Sequence, residues 1–169
     1  MNEEDARRPW WNRLLIPLVT SRLGAPMFRR TMHLIDRPLL RLTRGRFSFA
    51  SGYPVLLLTT TGARSGKQRT IPLLYVEWES GVAVVGTRFG STRHPGWYHN
   101  LRKNAEATVE IKGERRAYVA REAEGDERAE IWARASRMYE GYKVYGARAG
   151  RKIPVMILSP STEETSAGR

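Results

Sequence analysis

The chain has 169 residues, 41% of them hydrophobic, enough for one domain that buries its own core. It holds no cysteine, which excludes disulfides and thiolate metal sites and points to a reducing, cytoplasmic compartment. Its net charge of +12 calls for an anionic partner: nucleic acid, an acidic membrane surface or a polyanionic small molecule.

Residues 1–50 read as a basic amphipathic arm. Residues 1–46 carry ten arginines against Glu3, Glu4, Asp5 and Asp36, half of the chain's excess charge in about a quarter of its length. The stretches "WWNRLLIPLV" and "MFRRTMHLIDRPLLRL" mix arginines with bulky apolar residues at roughly helical spacing, broken at Pro9, Pro17, Pro26 and Pro38. Two readings stand: short helices packed on the domain, or a helix lying in an anionic membrane interface with Trp10 and Trp11 at headgroup depth. The second would make the protein peripheral on the inner face of the cell membrane. A membrane span is not expected, because Pro17 and Arg22 interrupt the best candidate short of ~18 apolar residues. Nor does the segment read as a cleaved signal: Arg13 splits its apolar part and no small-residue cleavage site follows.

Residues 51–160 read as the folded domain, with strands expected at 54–60, 69–78, 82–87, 107–112, 115–122 and 153–158. Ser80-Gly81 and Lys112-Gly113 mark turns between them. One helix is expected to begin with Pro95 at its first position. A second is expected over 126–145, capped by Asp126, with Ile131, Trp132, Ala135, Met138, Tyr139 and Tyr142 on one face. The polar tail 161–169 reads as disordered. Meandering strands with two helical insertions predict an α+β fold, a small antiparallel barrel with flanking helices.

The segment "TTTGARSGKQRT" (59–70) places Arg64, Lys67 and Arg69 in a turn built on Gly62 and Gly66. A plain hairpin needs glycines but no cluster of cations. If strands 54–60, 69–78 and 82–87 are joined by short connections, the first and third end at one edge of the sheet. The turn then lies beside the loop "RFGSTRH" (88–94), bringing Arg88 and Arg93 to the same rim, where the helix at Pro95 also starts. A helix N-terminus offers unpaired N–H groups to an anion, and Gly96 permits close approach to the backbone. This is a candidate anion site, against the plainer reading of a solvated basic surface. It is not a Walker loop, since it joins strand to strand and lacks the G-x-x-x-x-G-K-[ST] spacing. His33, His94 and His99 have no metal-site spacing, so no metal is expected.

Four stretches, "LLLTTTGARSGKQRTIPLLYV", "VVGTRFGSTRHPGWYHNLRKNAEATVEIKG", "DERAEIWARASRMYEGYKVY" and "RKIPVMILSP", carry a resemblance. They look like the deazaflavin-dependent nitroreductase family, over about residues 53–160. The HP-x-WYxNL segment with the preceding G-x-x-SGxxR turn is the specific part. The resemblance implies a split β-barrel of about six strands that binds coenzyme F420, whose phospholactate and polyglutamate tail is a polyanion.

Carried over by position, it puts the phosphate and tail near Ala63, Arg64, Ser65 and Arg69. The strand Thr70, Ile71, Pro72, Leu73 and Leu74 would run along the deazaflavin, with Pro72 leaving the backbone free of a ladder bond. Val85, Gly86, Thr87 and Arg88 would meet the ring and its linker. Gly96, Trp97, Tyr98, His99 and Asn100 would complete the pocket, and Tyr139, Tyr142 and Tyr145 would line the substrate side. Tyr142, which also faces the coenzyme, and Thr87 are the candidate hydroxyls to orient the acceptor or supply a proton. For the three tyrosines the plainer reading is core packing. This sequence departs from the family at Ala63, where many relatives are basic, at Phe89, often glycine, and at Gly96, which can be bulky.

The implied activity is hydride transfer from the reduced deazaflavin to a quinone, an activated alkene or a nitro compound. No acid–base carboxylate pair, Ser–His–Asp set or cysteine nucleophile competes with that reading, which suits an enzyme whose hard chemistry belongs to its cofactor. The alternatives are an FMN-dependent split-barrel reductase and a non-catalytic basic module on nucleic acid or membrane. FMN has one phosphate, a weaker reason for so many cations, and no nucleic-acid-reading motif is present. Oligomeric state is not legible.

Overall fold

The computed structural model describes residues 53–161, so the arm and the tail beyond Ser161 lie outside the described residues. Six strands form the domain: β1 (Val55–Thr61), β2 (Gln68–Trp78), β3 (Gly81–Val85), β4 (Glu106–Ile111), β5 (Glu114–Glu122) and β6 (Val155–Pro160). They close into an antiparallel barrel in the order β1-β2-β3-β6-β5-β4. Three helices join them: α1 (Gly96–Lys103) between β3 and β4, and α2 (Gly125–Met138) and α3 (Gly141–Ala149) between β5 and β6.

Strand periodicity divides the apolar residues between two cores. Leu56, Leu58, Tyr75, Val82, Val84, Val109, Met156 and Leu158 fill the barrel, and Trp97 and Leu101 of α1 pack with them. The alternate residues Val76, Trp78, Ala83, Val85, Val155 and Ile157 face outward beneath Ile131, Ala135, Tyr142, Tyr145 and Ala149 of α2 and α3. Both faces of β3 and of β6 through Leu158 are therefore buried, as are Tyr75 and Val76 of β2, which is why β3 and β6 read as near-continuous apolar runs.

The helical boundaries differ from expectation in three places. The expected helix 126–145 is two helices, separated by Tyr139, whose backbone is extended (φ −135°, ψ 104°). A Cβ at Gly141 would run into the Tyr139 ring, so glycine lets the ring fold over the start of α3. Asp126 lies inside the first turn of α2, with Glu124 at the N-cap. Pro95 is likewise the N-cap of α1 rather than its first residue. The expected strand 82–87 ends at Val85, because the chain then curls into a left-handed turn.

Candidate functional site

The closed barrel has an opening in its hydrogen-bond ladder along part of β2. Tyr75–Trp78 pair with β3, whereas Gln68–Leu74 pair with β1 and with no other described strand. Pro72 lies in the middle of this single-sided stretch, where a residue without an N–H is tolerated. Two loops flank the opening: the basic turn between β1 and β2, and the segment that leaves β3.

The basic turn is a tight, braced structure. Gly62 N–H donates to the Lys67 carbonyl at 2.9 Å and Gly66 N–H to the Gly62 carbonyl at 2.8 Å. Gly66 has φ +64°, a conformation costly to other residues. Helix α1 grips the turn from the side. Asn100 donates from Nδ2 to Thr60 Oγ1 (2.9 Å) and accepts at Oδ1 from the Ala63 N–H (2.9 Å). Lys103 Nζ donates to the Ala63 carbonyl at 2.6 Å. Arg64, Ser65, Lys67 and Arg69 are left exposed, and neither arginine nor the lysine joins an ion pair among the described residues. Four residues before Asn100, α1 begins at Gly96, where an added Cβ would meet nothing. Pro95 provides no side-chain cap, so the first N–H groups of the helix have none from that residue.

The second loop starts at Gly86, whose N–H donates to the Pro154 carbonyl at 2.8 Å. A Cβ there would come within 2.7 Å of Pro154 Cγ, so packing alone requires this glycine. Arg88, Phe89 and Gly90 follow with φ of 49°, 56° and 75°, three left-handed residues in a row. Such geometry costs roughly 1–2 kcal/mol for each residue with a Cβ. Arg88 Nη1 donates to the His94 carbonyl at 3.0 Å, so the loop holds that guanidinium. Phe89 lies edge-on to Tyr145, with ring centroids 5.8 Å apart.

Through that contact the loop adjoins the tyrosine cluster. The hydroxyls of Tyr139 and Tyr145 are 3.3 Å apart, and Tyr139 stands edge-on to Tyr142 at 5.3 Å. Tyr142 also lies against Trp132 at 6.4 Å and is 6% exposed. Burial pushes the hydroxyl pKa of Tyr142 and of Tyr145 well above the usual phenol value, so both stay protonated.

The expected site residues fall into two groups. Arg64, Ser65, Arg69, Thr70, Pro72, Leu74, Arg88, Gly96, Tyr98, His99 and Asn100 are exposed or half-buried around the opening. Ile71 and Leu73 pack against the barrel core together with Trp97, and Val85 belongs to the core beneath α2 and α3. Val85 and Trp97 are buried, whereas Ile71 and Leu73 stay half-buried. Thr87 is 5% exposed, next to the left-handed turn. One residue that sequence reasoning passed over is prominent: Arg151, beyond α3, donates into the loop that leaves β3. Nothing in the string "GRKIPV" signals this, because burial of an arginine depends on how a distant loop curls.

Residues 39–160 match the F420H(2)-dependent quinone reductase family. The chain belongs to that family. A Mycobacterium tuberculosis protein provisionally named an F420H(2)-dependent quinone reductase is 37% identical over 112 residues, covering 66% of this chain and 94% of its own. A second M. tuberculosis protein, named an F420H(2)-dependent quinone reductase, is 31% identical over 126 residues, covering 72% of this chain and 85% of its own. Among solved structures, an F420-H2 dependent reductase (FDR-A) is 39% identical with a TM-score of 0.58, covering 63% of this chain and 94% of that one. The match begins at residue 39, inside the segment read as the arm. The six-stranded antiparallel barrel is the fold that this family similarity leads one to expect.

Proposed function

We propose that this chain is a coenzyme F420-dependent oxidoreductase whose acceptor is a quinone. Activated alkenes and nitro compounds are further electron-poor acceptors of the same chemical kind. The observation that carries this reading is the family match over the segment that contains the basic turn, the open β2 edge and α1 together. The residues present suit the coenzyme. Exposed Arg64, Lys67 and Arg69, with no carboxylate partner among the described residues, are a donor set for a phosphate and a polyglutamate tail. The start of α1 adds N–H donors and a positive dipole end.

When bound, the reduced deazaflavin supplies the hydride. The chain's part is positioning, exclusion of water and hydrogen bonding. Ala63, Arg64, Ser65 and Arg69 would hold the tail, and the backbone from Thr70 to Leu74 would support the ring, with Val85 to Arg88 at its linker. Trp97, Tyr98, His99 and Asn100 support this wall through α1. Family resemblance would set Tyr139, Tyr142 and Tyr145 on the acceptor side, where Tyr142 or Thr87, both largely buried, would donate a hydrogen bond to an acceptor oxygen as it gains charge. No helix among the described residues is long and apolar enough to cross a membrane. The arm, residues 1–46, is proposed to hold the enzyme on an anionic membrane surface, where lipid-soluble quinones reside. Binding of coenzyme F420 in preference to FMN, followed by quinone-dependent oxidation of the reduced coenzyme, tests the function directly.

A further inference from the structure

Arg151 concentrates an unusual number of hydrogen bonds on one loop. Its Nε donates to the Ser91 carbonyl at 3.0 Å. Its Nη2 faces the carbonyls of Gly86 (3.0 Å), Arg93 (3.2 Å) and Thr87 (3.3 Å). Its Nη1 lies 3.1 Å from His94 Nδ1 and 3.2 Å from the Lys152 carbonyl. The planar fork thus gathers four carbonyls and an imidazole from Gly86–His94, using donors that a lysine ammonium cannot arrange in one plane.

The loop needs such a partner. Its turn through Arg88, Phe89 and Gly90 is left-handed throughout, and strained backbone persists only where its surroundings over-determine it. On either side of that turn the carbonyls of Gly86, Thr87, Ser91 and Arg93 converge on one point, where they accept from a common donor. Arg151 supplies that donor from a segment that is itself fixed, immediately before the buried residues Ile153 and Val155.

The same contact defines His94. A guanidinium has no acceptor and remains protonated, so Nδ1 must carry the lone pair and the proton sits on Nε2. His94 stacks at 4.9 Å on Tyr98 and lies edge-on to His99 at 6.0 Å. Tyr98 donates to Glu122 at 2.9 Å, and Glu122 pairs with Arg102 at 3.0 Å. Arg88 Nη1 donates to the backbone carbonyl of His94. Burial, then Arg151 and then His99 lower the His94 pKa, with Glu122 opposing them, so the neutral ring is favoured.

We propose that Arg151 is a positioning residue for coenzyme binding: it clamps Gly86–His94 around the left-handed turn at Arg88–Gly90 and fixes His94 as the Nε2–H tautomer before the coenzyme arrives. The inference rests on the reading that this loop meets the coenzyme. A preformed loop spares the ligand the cost of ordering it, so loss of the clamp should appear in coenzyme affinity and leave the chemical step alone.

The test uses the full-length wild type, Arg151→Gln and Arg151→Lys, with His94→Gln to assign imidazole signals. Titration with coenzyme F420 should show roughly tenfold or more weakening in Arg151→Gln and a smaller loss in Arg151→Lys, with kcat at saturating coenzyme within about threefold of wild type. Independently, ¹⁵N spectra of the coenzyme-free protein should show His94 as one Nε2–H tautomer in the wild type. In Arg151→Gln it should become a tautomeric mixture that titrates closer to the ordinary histidine pKa of ~6.5. A folded Arg151→Gln with unchanged coenzyme affinity and an unchanged His94 tautomer would overturn the inference. If that variant does not fold, Arg151→Lys decides by the same two readouts. Wild-type protein that does not bind the coenzyme would overturn the proposed function and the coenzyme half of this inference, while the tautomer result would still decide the clamp.

Discussion

The hydroxyls of Tyr139 and Tyr145 meet at 3.3 Å across the joint between α2 and α3. One of them donates to the other, and together they border Tyr142, which stands edge-on to Tyr139. The joint exists because Gly141 leaves room for the Tyr139 ring. Three tyrosines that look evenly spaced on one helix are thereby gathered around a bend, beside the loop that carries Phe89.

This arrangement predicts a division of effects. Tyr142→Phe should keep coenzyme affinity within a few-fold but lower quinone turnover roughly tenfold or more, because one donor to a developing oxyanion is lost. Stopped-flow oxidation of the reduced coenzyme checks it; an unchanged hydride-transfer rate would leave Tyr142 as packing and pass the role to Thr87 or water. Gly141→Ala should destabilise the fold by ~1–3 kcal/mol through overpacking against Tyr139, read as a lower Tm.

Asn100 should matter through the turn it braces. Asn100→Ala removes the bonds to Thr60 and Ala63 and leaves Thr60, only 2% exposed, without that donor. A stability loss of ~1–3 kcal/mol is expected in urea unfolding, together with weaker coenzyme binding as Arg64 and Ser65 lose their fixed turn. Wild-type stability and affinity in this variant would contradict the bracing role.

Acid should weaken the fold through His94. Its pKa is lowered in the folded state, by burial first and then by Arg151, whereas the unfolded chain titrates near ~6.5. Between the two values the unfolded state binds more protons, so this contribution is complete above the unfolded pKa and is lost as pH falls through ~6.5 toward the folded value. Unfolding free energy measured at pH 7.5, 6.5 and 5.5 should decline in the wild type more steeply than in His94→Gln. Parallel curves would remove His94 as the cause.

For residues 1–46, the membrane reading predicts co-sedimentation of the full chain with anionic vesicles, weakened by salt because the arginine contribution is screened over ~8–10 Å. Deleting the arm should abolish it while leaving a folded protein. An insoluble truncation together with no vesicle binding by the full chain would favour an arm packed on the domain.

How far residue patterns reach differs across the molecule. β2, β3 and β6 were readable because alternate residues serve two different cores, which leaves long apolar runs such as Val82–Val85. Chain direction set the start of α1 beside the basic turn, whereas the contacts with the turn come from Asn100 and Lys103 in the second half of that helix. The break at Tyr139 escaped because helical periodicity continues through it, and Gly141 is the one local sign. Arg151 escaped for a different reason. Its role depends on carbonyls that converge on either side of a left-handed turn about sixty residues away, and no local propensity records that. The family resemblance named the residues around the opening, but Val85 and Trp97 are buried in the cores and Ile71 and Leu73 pack partly against one of them, a distinction that only strand and helix facing reveals.

The central claim is that the basic turn and the open β2 edge bind a polyanionic deazaflavin. Titration of the purified full-length protein with coenzyme F420 and with FMN, repeated for Arg64→Ala and Lys67→Ala, tests it most directly. Charge-assisted contacts are worth ~1.5–3 kcal/mol, so Arg64→Ala should weaken coenzyme F420 roughly tenfold or more, and Lys67→Ala much less. Micromolar or tighter binding of F420 with weaker binding of FMN is the predicted result. Equal or tighter binding of FMN, or an Arg64→Ala variant that binds F420 as the wild type does, would contradict it.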